Sequence, residues 1–147
     1  MIQNFTPRLY QQTILGTTSR KNTLVVLPTG LGKTALAFLL AAQRLNNYPN
    51  SKILMVAPTK PLCEQHVETF KKHLTISEEK VVLFTGSVKP EKRAALWEEA
   101  KVIISTPQGL ENDVINKRVK YNIFNKVILK YPFPQKKHSN MNSFGIY

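Results

Sequence analysis

The stretch Leu27-Pro28-Thr29-Gly30-Leu31-Gly32-Lys33-Thr34 follows a short apolar run, Thr23-Leu24-Val25-Val26-Leu27, and precedes a segment rich in Ala and Leu. An apolar run of this length, closed by Pro28, has the pattern of a strand buried on both faces. Lys33 to Leu45 carries Ala35, Leu36, Ala37, Phe38, Leu39, Leu40, Ala41 and Ala42. These are good helix formers, apolar nearly all round, and predict a buried helix. A glycine-containing bend must join the two. It would gather backbone N–H groups at a helix N-terminus, whose partial positive charge attracts anions. Gly30 and Gly32 let the main chain approach a phosphate closely. Lys33 brings a full charge to the outer phosphates, and the Thr34 hydroxyl is placed to ligate Mg²⁺. Thr29, Gly30, Leu31, Gly32, Lys33 and Thr34 are therefore the candidate contacts of a nucleotide phosphate chain. The generic pattern G-x-x-x-x-G-K-[ST] fails at one place, since Leu27 stands where its first glycine falls. The Pro28-Thr29-Gly30 turn can supply the bend instead.

The flanking chain repeats the strand-then-helix unit. Lys52-Ile53-Leu54-Met55-Val56-Ala57 reads as a second strand, after the breaker Asn46-Asn47-Tyr48-Pro49-Asn50-Ser51. Pro61 then opens a helix to about Lys72, with Leu62, His66 and Phe70 along one side. Lys80 to Phe84 predicts a strand, Pro90 to Ala100 an amphipathic helix with Ala94 and Trp97, and Lys101 to Ser105 a fourth strand. A short helix opened by Pro107 follows, and Pro7 to Leu15 predicts a helix upstream of the first strand. This alternation argues for an α/β fold whose mostly parallel sheet has helices on both faces. Right-handed crossovers then place the strand-to-helix turns along one edge, where ligands of such folds bind.

Charge and composition narrow the partners. The chain has 147 residues, with 21 Lys and Arg against 9 Asp and Glu, for a net charge of +12. Such an excess favours phosphates, nucleic acid above all. Residues 1–113 hold 14 basic and all 9 acidic residues, and everything after Asp113, the lone aspartate, is basic or uncharged. No apolar stretch approaches the roughly 18 residues needed to span a bilayer, so no membrane association is expected. The first residues lack the charge and apolar pattern of a secretion leader, and the single Cys63 fits a reducing, cytoplasmic setting. His73 and His138 have no partners at metal spacing, and His66 reads as a packed helix residue.

Two further segments sit where the second and fourth strands end. Ala57-Pro58-Thr59-Lys60-Pro61-Leu62 and Ser105-Thr106-Pro107-Gln108 place hydroxyls and helix-start N–H groups on the phosphate-loop edge, a surface suited to a nucleic-acid backbone. Each also has a purely structural reading, since Thr before Pro is an ordinary helix start. Thr85-Gly86-Ser87 reads first as a turn. On the first helix, Gln11 could hold an adenine edge through its paired donor and acceptor, and Arg8 or Tyr10 could stack on the ring.

Arg8-Leu9-Tyr10-Gln11, the Pro28–Thr34 loop, Ala57–Leu62 with Gln65, Thr85-Gly86-Ser87 and Ser105–Gln108 occur in order and at familiar spacings. Over about residues 5–118 the sequence resembles the N-terminal part of the first RecA-like domain of superfamily 2 helicases, nearest the archaeal Hef and Fanconi-anaemia M-type branch. The resemblance implies a P-loop ATP-binding fold using ATP and Mg²⁺, with Arg8 and Gln11 on the adenine, and Lys33 and Thr34 on phosphate and Mg²⁺. It also implies nucleic-acid contacts from Pro58, Thr59, Lys60, Gln65, Gly86, Thr106, Pro107 and Gln108, with DNA favoured over RNA.

The resemblance stops short of a feature the family requires, an Asp-Glu-Ala-His or similar box at the end of the next strand. No Asp or Glu follows Asp113. The composition there turns Lys-, Asn-, Phe- and Tyr-rich, as expected of a fragment whose end is out of frame or diverged. Residues 119–147 are thus expected to form a basic tail with at most one strand, within Tyr121 to Tyr131, then irregular chain. Val127-Ile128-Leu129 could fill the sheet position beside the phosphate-loop strand; otherwise apolar surface would be exposed.

Overall fold

The computed structural model describes residues 1–28, 30–85, 88–119, 126–131 and 141–146. In chain order the elements are α1 (Leu9–Thr18), β1 (Thr23–Pro28), α2 (Lys33–Asn47), β2 (Ile53–Val56), α3 (Lys60–His73), β3 (Val81–Phe84), α4 (Pro90–Glu99), β4 (Val102–Ser105), α5 (Pro107–Ile115), β5 (Lys126–Tyr131) and β6 (Met141–Ile146). A 3-10 turn, Glu78–Lys80, leads into β3. The strand and helix order expected from the apolar runs is the order observed, with ends shifted by a few residues.

One six-stranded sheet runs β1-β6-β5-β2-β4-β3. The pairs β2·β4, β2·β5 and β3·β4 are parallel, with Met55 opposite both Ile104 and Ile128. β6 lies antiparallel to both β1 and β5, so the other five strands all point one way. Their C-terminal ends therefore share one edge.

Side-chain alternation along the central strands divides the core in two. Ile53, Met55 and Ile104 face α2 and α3, packing with Leu36, Phe38, Leu39, Leu40, Val67 and Phe70. Leu54, Val56 and Ile103 face the other way, against Phe84, Trp97 and Val119. Each large apolar side chain fully buried in this way contributes about 1.5–3 kcal/mol. The nearly uniform apolar surface of α2 is explained by its position, since ten of its residues are buried. His66 is fully buried on α3, as a packed helix residue should be.

Two expectations for the tail need correction. Met141–Ile146 is a strand rather than irregular chain, and this strand stands beside β1. Val127-Ile128-Leu129 lies in β5, one position further in, against β2 and β6. The segment Met141-Asn142-Ser143-Phe144-Gly145-Ile146 has no apolar run to announce a strand. Its pairing on both sides supplies the hydrogen bonds that its composition does not suggest. The irregular stretch expected at Pro132–Asn140 lies outside the described residues.

Although β6 fills the sheet position beside β1, apolar side chains on one face of β1 remain exposed. Leu24 and Val26 are 59% and 45% exposed, whereas Val25 between them is buried. Among the described residues no helix is long and apolar enough to cross a membrane.

Candidate functional site

The bend after β1 lies at one end of this edge. The strand ends at Pro28, and α2 begins at Lys33 with Gly32 as its N-cap. Gly30 and Gly32 both adopt left-handed backbone, with φ of 86° and 72°, a region that costs a side-chain-bearing residue about 1–2 kcal/mol. The Leu31 N–H donates to the Pro28 carbonyl at 3.4 Å, and the Leu36 N–H reaches back to the Gly32 carbonyl at 3.2 Å. The first N–H groups of α2 are thus presented at the mouth of the turn, the arrangement that takes an anion at a helix start. Around Gly30 a Cβ would meet nothing within 4 Å, so the loop is open on that side. These features fit a phosphate chain. Thr29 lies outside the described residues.

Lys33 is buried, and its ammonium donates to the Leu27 and Pro28 carbonyls at 2.9 and 3.0 Å. It therefore reaches back over its own loop. Burial pushes its pKa below the ordinary lysine value. Thr34 follows it in the first turn of α2, where a hydroxyl could reach a metal held by bound phosphates.

Helix α1 closes the loop from behind. The Tyr10 hydroxyl donates to the Leu31 carbonyl at 2.7 Å. Gln11 is buried; its Oε1 accepts the Arg8 backbone N–H at 2.9 Å. Its Nε2 lies only 2.6 Å from where a Cβ on Gly32 would sit. Arg8 and Gln11 are brought together, as the sequence suggested, but through the Arg8 backbone, and the Arg8 side chain is exposed. Tyr10, considered for ring stacking, has its hydroxyl committed to the loop.

The other candidates are spread along the same edge. Pro58 is half-buried, whereas Thr59, Lys60 and Gln65 are exposed at the start of α3. Lys60 lies 3.8 Å from Glu64, an exposed pair of little energetic weight. At the start of α5, Thr106 Oγ1 accepts the Gly109 N–H at 3.2 Å, so the capping role open to this residue is realised. Pro107 and Gln108 beside it are exposed. Gly86 and Ser87 lie outside the described residues.

Sequence reasoning passed over a buried cluster behind this edge. The Asp113 carboxylate accepts Arg93 Nε at 2.7 and 2.9 Å, and Arg93 Nη2 closes the fork. Trp97 Nε1 donates to Asp113 at 3.2 Å, and Arg118 reaches it at 3.4 Å. Arg93 also donates from Nη1 to the Thr85 carbonyl at 2.6 Å and from Nη2 to the Gly109 carbonyl at 3.3 Å. One signal was available: Arg93 and Trp97 stand four apart on one helix face, and Asp113 is the lone aspartate.

With this geometry in view, the comparisons with known proteins agree. The family profile of the DEAD/DEAH box helicases matches residues 8–129, which takes in the Pro28–Lys33 bend, the starts of α3 and α5, and part of β5. MJ1505 of Methanocaldococcus jannaschii, whose name assigns it provisionally to the ATP-dependent RNA helicases, is 46% identical over 117 residues, 80% of this chain. The Drosophila melanogaster DEAD-box ATP-dependent DNA helicase Fancm is 42% identical over 112 residues, 76% of this chain. The chain spans 15% and 8% of the lengths of these two relatives. The crystal structure of the Pyrococcus furiosus Hef helicase domain superposes with a TM-score of 0.77 at 46% identity, covering 80% of this chain and 24% of that domain. The chain belongs to the DEAD/DEAH box helicase family and is homologous to its Hef and FANCM members.

Proposed function

We propose that this chain is the ATP-binding segment of an ATP-dependent DNA helicase or translocase of the repair or fork-processing type. In this reading it holds ATP with Mg²⁺ but turns it over little by itself. The observation that carries the reading is the bend from Pro28 to Lys33. It has two left-handed glycines, the first N–H groups of α2, and an ammonium that needs only to exchange two carbonyls for phosphate oxygens. ATP supplies the phosphate chain and Mg²⁺ offsets its charge; Gly30, Leu31, Gly32 and Lys33 would hold it, with Thr29 and Thr34 beside them. Gln11, lying against Gly32, and Arg8 would face the adenine. Thr59, Lys60, Gln65, Thr106, Pro107 and Gln108, with Pro58 and Gly86, would form the nucleic-acid track along the same edge. DNA is preferred because Drosophila Fancm is named a DNA helicase, although MJ1505 is named for RNA.

Weak turnover follows from the acids available. Phosphoryl transfer needs a metal, a water-orienting base and charge compensation aimed at one phosphate. Strand β5 ends in Lys130-Tyr131, and no carboxylate follows Asp113, which is itself engaged by Arg93. Lacking base assistance typically costs about 10²–10⁴ in rate. Titration of a fluorescent ATP analogue into the chain and into Lys33→Ala tests the reading; equal affinity would remove the phosphate loop from it. DNA-stimulated hydrolysis by the chain alone would overturn the claim of weak turnover.

A second reading, in which the chain acts only with the remainder of a helicase supplied separately, is favoured by the exposed Leu24 and Val26 on the outermost strand β1. The Hef helicase domain, of which this chain covers 24%, has the additional chain that could cover them.

A further inference from the structure

The buried cluster around Arg93 joins two of the turns on the ligand edge. From α4, one guanidinium holds the Thr85 carbonyl at the end of β3, the Gly109 carbonyl in the first turn of α5, and Asp113 one turn further along α5. Its carbon also lies 4.8 Å over the Phe84 ring. The end of β4, just before α5, is in close contact with the end of β3: Ser105 Oγ donates to the Phe84 carbonyl at 3.2 Å. A Cβ on Gly109 would meet Ser105 Oγ at 2.9 Å and the Phe84 carbonyl at 3.3 Å, so only glycine permits this approach. Arg93 and Asp113 are 4% and 0% exposed, so they brace the edge from beneath its surface. The turn from β2 to α3, which carries Thr59 and Lys60, has no bond to Arg93 among the described residues.

We propose that Arg93 is a positioning residue for nucleic acid. It ties the start of α5 to Thr85 at the end of β3, so that Thr106–Gln108 is held in place to meet the nucleic-acid backbone. This rests on the reading of that edge as the nucleic-acid track. A planar fork suits the task because its donors are fixed relative to one another, which a lysine cannot match.

The test is a double-mutant cycle on oligonucleotide affinity, measured by fluorescence anisotropy with a labelled DNA on the full chain. Arg93→Lys keeps a charge for Asp113 but loses the fork. It should weaken DNA binding about tenfold while leaving ATP-analogue affinity unchanged. If Arg93 acts through the start of α5, Gln108→Ala should cost much less in the Arg93→Lys background than in the unaltered chain. Lys60→Ala, on the turn Arg93 does not touch, should cost the same in both. A role in overall folding alone would lower analogue affinity as well and would not single out Gln108. Should Arg93→Lys not fold, Asp113→Asn, which keeps the shape and removes the charge, takes its place in the same cycle. Additive losses for Arg93 and Gln108 would overturn the positioning role while leaving the track intact. An unaltered chain with no affinity for DNA would overturn both.

Discussion

The Tyr10 hydroxyl donates to the Leu31 carbonyl at 2.7 Å, which fastens the first helix to the crown of the glycine bend between β1 and α2. Together with Gln11 against Gly32, it makes α1 the back wall of that loop, so its docking and the loop geometry should rise and fall together. Tyr10→Phe keeps the ring and removes one hydrogen bond. It should lower stability by about 0.5–1.5 kcal/mol in urea unfolding and weaken ATP-analogue binding severalfold. An unchanged analogue affinity would show that α1 does not shape the loop.

The two loop glycines should respond unequally. Gly30→Ala faces only the cost of a left-handed backbone, about 1–2 kcal/mol, because its side is open. Gly32→Ala carries the same backbone cost and also drives a methyl to 2.6 Å from the Gln11 amide. Chemical denaturation should rank Gly32→Ala below Gly30→Ala, and a combined Gln11→Ala change should recover part of the difference. The reverse ranking would contradict the packing described.

Lys33 provides a pH signature. Its ammonium is disfavoured by burial, so its pKa in the fold lies below the 10.5 of an exposed lysine. Between the folded value and 10.5 the unfolded chain binds more protons than the native one, and stability therefore rises with pH across that window. Lys33→Met should be at least as stable as the unaltered chain at neutral pH and should lack this share of the alkaline rise. Its ATP-analogue affinity should fall more than tenfold, a loss on the order of 1.4 kcal/mol or more. Parallel unfolding curves of the two chains from neutral to alkaline pH would check the sign.

The buried and exposed ion pairs should differ sharply. Arg93→Ala leaves the Asp113 carboxylate buried without its main partner, which should cost about 3–5 kcal/mol. Lys60→Ala breaks the exposed pair with Glu64 and should change stability by about 0–1 kcal/mol. Thermal unfolding of both variants decides the matter, and comparable losses would count against the role given to Asp113.

Cys63 reports on the core. The thiol is fully buried, donates to the Ala57 carbonyl at 3.6 Å, and has its pKa raised mainly by burial. Native chain should therefore react with a maleimide far more slowly at pH 7 than chain in urea. Rapid labelling without denaturant would mean that α3 does not stay packed on β2.

The strand-and-helix alternation, the glycine bend between β1 and α2, and the family are legible because each is written locally. A period of apolar residues, two glycines and a lysine act through their immediate neighbours on the chain. Helix α2 is an example: its uniform apolarity announced burial on every side before any contact was known. Other features depend on residues far apart. Arg93, Thr85, Gly109 and Asp113 come from three elements, and no spacing along the chain foretells their meeting.

Strand β6 is the opposite case from α2. Met141-Asn142-Ser143-Phe144-Gly145-Ile146 has weak strand composition, yet it pairs with β1 on one side and β5 on the other. Local chemistry is enough to place the bend and its lysine between β1 and α2, because amide direction and charge are properties of a few consecutive residues. The turn of that lysine back onto the Leu27 and Pro28 carbonyls is itself local, whereas the use of Gln11 as packing behind Gly32 and the seat of β6 arise from long-range contact. Both long-range features depend on which distant groups are available to fill a void or complete a ladder.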